Sequence, residues 1–139
     1  MLYKSIILIL FTLIQITVLS CIQNSSKNVV SRQQAKMVFE KKKNNFGVIQ
    51  GNKKVKANFK FKNAGTNPLI IYDVRTGCGC TVAYWNKNPI QVNAMDSIII
   101  IFDSNHKKDY QKKDIAIYSN TTEDVTFLSV EGVVKELTQ

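Results

Sequence analysis

The sequence has few of the residues that build most active sites. It contains one histidine, three cysteines and ten carboxylates among 139 residues. No two carboxylates form a pair flanked by apolar sequence, and a glycine-rich phosphate loop, a nucleophile-elbow serine and a zinc-binding helix motif are all missing. His106 stands in a polar stretch typical of solvated loops, so we assign it no role. These gaps argue against hydrolase and transferase mechanisms, and we predict that the protein is not an enzyme unless it uses thiol redox chemistry.

Acidic residues are scarce relative to basic ones. The 19 Lys and Arg against 10 Asp and Glu give a net charge of +9, a balance that suits an anionic partner without identifying it. Two lysine-rich stretches, residues 41–43 and 107–113, are most simply solvated loops, and both also suit contact with anionic lipid or glycan.

An apolar run near the N-terminus predicts export from the cytoplasm. Lys4 supplies a positive charge, and residues 6–19 are almost unbroken apolar sequence. The run is shorter than the roughly 20 residues that span a bilayer, so it suits a secretory signal peptide better than a transmembrane helix. The stretch Val18-Leu19-Ser20-Cys21 resembles the lipobox of bacterial lipoproteins, in which the cysteine is thioether-linked to diacylglycerol and becomes the first residue after cleavage. We therefore predict a signal peptide over residues 1–20 and a lipid-modified Cys21.

The stretch after the signal peptide predicts a tether. Residues 21–35 are rich in Asn, Ser and Gln and have no periodic apolar face. No acidic cluster follows Cys21, so by resemblance to other lipoproteins we expect secretion across the inner membrane and a periplasm-facing anchor. The expected partners are the membrane, through the anchor, and another envelope protein. Apart from the covalent lipid no cofactor is expected, and a nucleic acid is not expected, because nothing explains how a secreted protein would meet one.

Residues 36–136 show the pattern of β-strands. Residues 55–62 alternate apolar and polar side chains with a period of two, and residues 69–74 form a β-branched and aromatic run. Residues 97–102 form an almost wholly apolar run, which predicts a central strand or one covered on both faces. Further strands are expected at residues 37–39, 46–49, 81–84, 114–119 and 126–134.

These segments predict an all-β, immunoglobulin-like antiparallel β-sandwich. The chain offers seven or eight strands over roughly 100 residues, with turn signals at short intervals and no amphipathic helix. Two apolar sheet faces then pack together to form the core. The expected core residues are Phe59, Phe61, Ile71, Ile99, Phe102, Ile115, Ile117, Leu128 and Val130.

The two cysteines of this domain, Cys78 and Cys80, lie in the stretch 76–81, TGCGCT. In an extended backbone both sulfurs project to one side, and Gly77 and Gly79 allow a turn or bulge that brings them closer. Four interpretations stay open. The pair is a structural disulfide, an exchangeable redox disulfide, a soft-metal site that would need further ligands, or two packed small side chains.

Several short motifs share an order and spacing that point to a known family. They are Phe46-Gly47, residues 59–65, Pro68-Leu69, residues 78–81, Pro89-Ile90, Ser119-Asn120 and Gly132-Val133. Over residues 36–135 this pattern resembles the bacterial domain-of-unknown-function family 1573. The resemblance implies a short secreted or lipid-anchored protein with an immunoglobulin-like fold similar to sperm-tail and centrosomal domains. The chain departs from the family at Val92-Asn93 and at residues 109–112, both of which we expect in turns.

Taken together, the sequence predicts a membrane-anchored extracytoplasmic lipoprotein whose sandwich is a non-enzymatic interaction or scaffold module of the cell envelope. One alternative is a thiol-redox or soft-metal-handling protein that acts through Cys78 and Cys80. A second alternative is a protein that binds anionic glycan or lipid surfaces.

Overall fold

The computed structural model describes residues 34–136. The predicted signal peptide, Cys21 and most of the predicted tether lie outside the described residues. Gln34 and Ala35, which the sequence analysis places at the end of the tether, already pack against the domain. Ala35 is only 1% exposed and forms a parallel bridge with Thr121. The folded chain therefore includes residue 34.

The described residues form eight strands. In chain order they are β1 (Met37–Phe39), β2 (Lys43–Gln50), β3 (Lys54–Asn63), β4 (Ile71–Thr76), β5 (Thr81–Tyr84), β6 (Met95–Asp103), β7 (Asp109–Ser119) and β8 (Val125–Lys135). No helix within residues 34–136 is long and apolar enough to cross a membrane.

The strands are divided between two four-stranded sheets. The first sheet has the order β1-β3-β6-β5 and the second the order β2-β8-β7-β4. All neighbouring strands are antiparallel except β2 and β8, which are parallel. This is the strand arrangement of an immunoglobulin-type sandwich in which the first strand is split between the two sheets. The predicted all-β immunoglobulin-like fold is confirmed.

The core lies between the two sheets, and the strand β3 shows how it is built. Ala57, Phe59 and Phe61 are buried, whereas the intervening lysines and Asn58 are exposed. This is the alternation expected of a strand with one face toward a core. The predicted core residues are buried with one exception, which is described next.

The prediction that Ile99 belongs to the core is wrong. In β6 the buried side chains are Ile98, Ile100 and Phe102, so Ile99 lies on the outer face and is only half-buried. The almost continuous apolar run 97–102 carries no alternation from which to tell the two faces apart. Pairing with β3 determines which side chains of β6 face the core, because Ile98 lies opposite the buried Phe59. The strand β6 is central in its sheet, as predicted.

Strand β7 begins earlier than the sequence predicts. Residues 109–113, expected in a solvated loop, pair with β8 as far as Asp109 opposite Val134. The departure from the family at residues 109–112 therefore falls in a strand, whereas Val92-Asn93 falls in a turn in which Asn93 has φ 66°. Polar side chains on both faces of this half of β7 hide the strand pattern. Similarly, β4 begins at Ile71, because Leu69 forms an isolated bridge with Ile90 instead.

The buried side chain of Asn63 ties together the motifs around it. Its Nδ2 donates to the carbonyl oxygens of Asn67, at 2.8 Å, and Ile90, at 3.0 Å. Its Oδ1 accepts hydrogen bonds from the backbone N–H groups of Gly65, at 3.1 Å, and Lys36, at 3.4 Å. One amide thus satisfies buried backbone groups from several segments, as a fully buried polar side chain must. These hydrogen bonds explain why an asparagine is needed at position 63 of the motif at residues 59–65.

Two other motifs meet where β2 lies beside β8. A Cβ on Gly132 would overlap the ring of Phe46 and come within 2.6 Å of the carbonyl oxygen of Gly47. Gly47 itself has φ +71° at the irregularity between Asn45 and Val48, a conformation that favours glycine. Gly132 lets Phe46 pack inward, where its ring stacks on Phe102 at 5.5 Å. These glycines are required by the fold.

Candidate functional site

The turn over residues 76–81 carries the chain from the second sheet to the first, since β4 and β5 belong to different sheets. The Thr76 hydroxyl donates to the carbonyl oxygen of Thr81 at 2.8 Å, and the Thr81 N–H donates to the carbonyl oxygen of Cys78 at 3.2 Å. The two threonines therefore close the turn with their own hydrogen bonds.

Cys78 and Cys80 are joined by a disulfide inside this turn, with their Cα atoms 5.3 Å apart. The separation is ordinary for a disulfide. The hydroxyl of Thr81 lies 3.6 Å from the sulfur of Cys78 and 3.9 Å from that of Cys80. Both cysteines are partly exposed. The disulfide is thus at the surface of the domain and not in its core.

Gly77 and Gly79 have no steric reason to be glycine. A Cβ on either residue would meet no atom within 4 Å, and neither has a positive φ. Both glycines were predicted to allow a turn or bulge, and the structure shows no such requirement. In this respect they differ from Gly132. The Cys78 to Cys80 segment is therefore a family motif that packing within the domain does not explain.

A recess of about 190 Å³ opens beside the disulfide on the outer face of the first sheet. It is lined by Lys54, Gly79, Cys80, Val82, Tyr84, Ile101 and Asp103. Tyr84 is 54% exposed. The recess therefore combines an apolar floor, two opposite charges and one sulfur of the disulfide.

The rest of the outer face of the first sheet is basic. Along β3 the exposed lysines alternate with the core residues, and apolar side chains of β5 and β6 lie beside them. This surface is termed the lysine face and consists of Lys54, Lys56, Lys60, Lys62, Val82, Tyr84, Met95, Ile99 and Ile101. Among residues 34–136 these lysines form no ion pair. Two carboxylates lie on this side of the sheet, that of Asp103 opposite Lys54 and that of Glu40, which follows β1 and whose N–H donates to the carbonyl oxygen of Lys60 at 3.1 Å.

On the outer face of the second sheet several charged or polar groups lie in pairs. The Lys112 ammonium lies 3.4 Å from a carboxylate oxygen of Asp114, and the Tyr110 hydroxyl donates to Glu131 at 3.0 Å. That hydrogen bond raises the pKa of Tyr110 above its ordinary value. The outer surface of the second sheet, which includes Asp73, Arg75, Tyr110, Lys112, Asp114, Phe127 and Glu131, is termed the paired face.

The same pairing occurs on β4. Nε of Arg75 lies 2.8 Å from Asp73, and this hydrogen bond lowers the pKa of the Asp73 carboxyl below its ordinary value. The Arg75 guanidinium also lies over the ring of Tyr118, 4.7 Å from its centroid. The cation is thus held by both a carboxylate and an aromatic ring.

An exposed aromatic side chain stands on the paired face near the start of β8. Phe127 lies opposite Ala116 of β7, just before β2 joins β8 at Ser129, and is 63% exposed. A groove of about 290 Å³ beside it is lined by Lys42, Lys43, Lys112, Asp114, Phe127, Leu128 and Ser129. This surface was not predicted from the sequence. The signal was present, since the predicted core positions Leu128 and Val130 place Phe127 on the opposite side of the strand.

The other candidate residues lie apart from these surfaces. His106 is exposed in the loop between β6 and β7. Within the described range, no group of three or more His, Cys, Asp or Glu side chains is arranged to hold a metal ion. Trp85 packs against the core with Lys87 Nζ 3.0 Å from its ring centroid, and its Nε1 is buried without a hydrogen-bond partner.

Comparison with known proteins gives one family and a set of similar folds. A family model described as a protein of unknown function (DUF1573) matches residues 37–134. A search of curated proteins found no significant match.

Solved structures similar to this chain show the same fold. A protein of unknown function from Porphyromonas gingivalis W83 has a TM-score of 0.64 and 19% identity over 73% of this chain and 47% of that chain, so the present chain spans about half its length. The seventh PapD-like domain of human CEP192 has a TM-score of 0.57 and 8% identity over 76% of this chain and 89% of that one. The YadV chaperone has a TM-score of 0.53 and 13% identity over 74% and 54%. At these identities the similarity concerns the fold alone.

Proposed function

Because the chain belongs to the DUF1573 family, whose function is unknown, we propose a function from its own surfaces: it is an envelope-anchored lipoprotein whose sandwich binds another envelope protein. The lipid on Cys21 holds it on the membrane after secretion across the inner membrane. The domain itself does no chemistry in this proposal.

The observation that carries the proposal is the exposure of Phe127. A large aromatic side chain exposed on a sheet face is costly to leave in water, and aromatic side chains beside grooves are typical centres of protein interfaces. Of the charged groups that line the groove, Lys112 and Asp114 are already paired with each other, and Lys42 and Lys43 complete a polar rim of the kind found at such interfaces. A partner that inserts an apolar side chain into the groove beside Phe127 fits this surface.

The position of the domain supports an envelope partner. The apolar run 6–19 followed by Ser20-Cys21 has the length and the ending of a lipoprotein signal peptide. Lipid chains contribute about 0.8 kcal/mol per buried methylene, so two or three of them keep a protein on a membrane nearly permanently. YadV, one of the similar folds, is named as a chaperone, which gives this architecture a precedent for protein binding.

Photo-crosslinking in living cells tests the proposal. A benzophenone amino acid placed at Phe127 should give one discrete crosslinked product with another envelope protein, identified by mass spectrometry and recovered again when the partner is purified. The matched control places the same amino acid at Tyr84, an equally exposed aromatic position on the lysine face. No product at position 127, or the same product at both positions, would contradict the proposed site.

A second function has its own observation, the exposed disulfide beside an apolar recess. In thiol exchange, the thiolate of a substrate attacks one sulfur of the Cys78–Cys80 disulfide, the S–S bond breaks and the other sulfur leaves as a thiolate. The second thiolate of the substrate then attacks the substrate sulfur of this mixed disulfide and the protein cysteine leaves as a thiolate, so the substrate dithiol is oxidised to a disulfide and the pair Cys78 and Cys80 is reduced. Lys54 shares the recess with Cys80, and its positive charge favours a thiolate there.

The double substitution Cys78→Ser and Cys80→Ser separates the two functions. Loop entropy gives so small a ring only about 1.5 kcal/mol of stabilisation, so the variant should remain folded. If the protein is an interaction module, the crosslink at position 127 survives in this variant. If it is a thiol protein, dithiol oxidation by the wild type is measurable and is abolished in the variant.

A further inference from the structure

The lysine face carries a row of four exposed lysines, Lys54, Lys56, Lys60 and Lys62, that form no ion pair among the described residues. Two carboxylates lie along this row, that of Asp103 opposite Lys54 and that of Glu40, whose N–H donates to the carbonyl oxygen of Lys60 at 3.1 Å. On the paired face two cations, Arg75 and Lys112, lie 2.8 and 3.4 Å from carboxylates. The lysines of the lysine face outnumber its carboxylates and are not held by them, so this face has a net positive charge available for a partner.

The shape of the lysine face suits an extended anionic surface. Residues two apart on β3 point the same way, so the row from Lys54 to Lys62 extends over about 26 Å. Neighbouring apolar side chains are also exposed, among them Met95 at 63% and Val38, which lies opposite Lys62 on β1. Ammonium groups beside exposed apolar groups match the boundary between phosphate headgroups and acyl chains.

We propose that the lysine face lies against an anionic phospholipid membrane. A glycan would need several hydrogen-bonding side chains and aromatic platforms, and among the residues that define this face only Tyr84 is aromatic. An acidic protein would neutralise the lysines, but its charges would not explain why the aliphatic side chains beside them are exposed. Charge complementarity and exposed apolar groups together favour the lipid surface.

The inference rests on the proposed anchor at Cys21, because the face alone binds weakly. Each lysine near an anionic surface raises membrane binding roughly fivefold. Residues 21–35 reach at most about 50 Å even if fully extended, so an anchored domain remains close to the bilayer. At such a high local concentration a weak contact is sufficient to orient the domain. The paired face, with Phe127, then points away from the membrane toward a partner.

Lysine footprinting on the full anchored chain tests this orientation. The protein is reconstituted into vesicles of equal parts phosphatidylglycerol and phosphatidylcholine, or of phosphatidylcholine alone, and treated with a water-soluble amine reagent. On the anionic vesicles we expect the four lysines of the face to react severalfold more slowly than on the neutral ones. Lys112 and Lys135, on the opposite side, should react equally on both. About 0.5 M salt should remove the protection, because the screening length falls to a few ångströms.

Two charge-matched variants provide the control. Lys56→Gln with Lys60→Gln should abolish the protection of Lys54 and Lys62, since losing two such contacts weakens binding roughly 25-fold. Lys112→Gln with Lys135→Gln removes the same formal charge and should leave that protection intact. Equal effects of both variants, or equal protection on neutral vesicles, would overturn the proposal. Protection that requires added acidic polysaccharide or protein would overturn it as well.

The anchor is tested separately in the same sample. The mass of the fragment that contains Cys21 shows whether it carries lipid. If it does not, the proposed anchoring fails, while the footprint of the unanchored full chain mixed with anionic vesicles still tests the lysine face.

Discussion

Lys60 on the first sheet and Lys112 on the second are both exposed lysines in strands that are central in their sheets, yet of the two only Lys112 forms an ion pair, with Asp114 at 3.4 Å. The two outer faces to which they belong differ in the same respect. The lysines of the lysine face form no ion pair among the described residues and lie beside exposed apolar side chains, whereas on the paired face carboxylates hold Arg75 and Lys112. The net charge of +9 therefore matters less than its distribution.

The largest expected effect separates the outer paired face from the core. Phe59→Ala should destabilise the domain by about 3–5 kcal/mol, because it removes a fully buried ring. Phe127→Ala should change stability by less than about 0.5 kcal/mol, because its ring is mostly exposed. Denaturant unfolding of the two variants measures this contrast. A large loss of stability in Phe127→Ala would mean that the ring serves the fold and not a partner.

The next effect compares a glycine that the fold requires with one that it does not. Gly132→Ala should cost about 1–3 kcal/mol, since the added methyl meets the Phe46 ring and a backbone oxygen. Gly79→Ala should fall within about 0.5 kcal/mol of the wild type, since its Cβ points into open space. Thermal unfolding of both variants provides the measurement. If Gly79→Ala proved as costly as Gly132→Ala, the turn would have a structural requirement of its own.

A smaller effect tests the contrast between the two faces directly. Lys112→Gln should destabilise the domain by about 0.3 kcal/mol at low salt, because an exposed ion pair is lost. Lys60→Gln should be neutral or slightly stabilising, because it removes a cation from a row of like charges. Melting temperatures measured at low and at high salt report both changes, and the two should converge as salt is added. If Lys60→Gln destabilised the domain, Lys60 would have to form an ion pair in solution, which would contradict the unpaired state of the lysine face.

The smallest effect concerns the titration of Tyr110. Its hydrogen bond to Glu131 raises the pKa of Tyr110, so the folded state binds this proton more tightly than the unfolded one. The resulting stability is fully present below the ordinary pKa of tyrosine and is lost as pH rises through the raised value. Ultraviolet absorbance titration should show an upward-shifted tyrosine that returns toward its ordinary value in Glu131→Gln. An unchanged titration curve would argue against the hydrogen bond.

Much of the fold was predictable because alternation in strands such as β3 fixes both the element and its buried face. The errors occurred where that signal is absent. The run 97–102 is apolar at almost every position, so pairing with β3 had to decide that Ile99 faces outward. The first half of β7 is polar on both faces, so only its pairing with β8 identifies residues 109–113 as a strand.

The candidate surfaces were less predictable than the fold. The sequence identifies Cys78 and Cys80 but not the surroundings of the disulfide, which depend on β5 pairing with β6. The lysines of β3 are visible in the sequence as the solvated side of a strand. Their lack of partners depends on which charges the neighbouring strands place beside them, and that information is long-range. The groove beside Phe127 likewise requires β7 and β8 to be adjacent.

The most direct test of the account is the intact mass of the protein extracted from its own membranes, with fragments covering Cys21 and residues 78–80. We predict a chain that begins at Cys21, carries thioether-linked diacylglycerol there, and contains a Cys78–Cys80 disulfide that resists alkylation until it is reduced. A chain that retains residues 1–20, or whose Cys21 carries no lipid, would contradict the claim that this domain is anchored in the cell envelope.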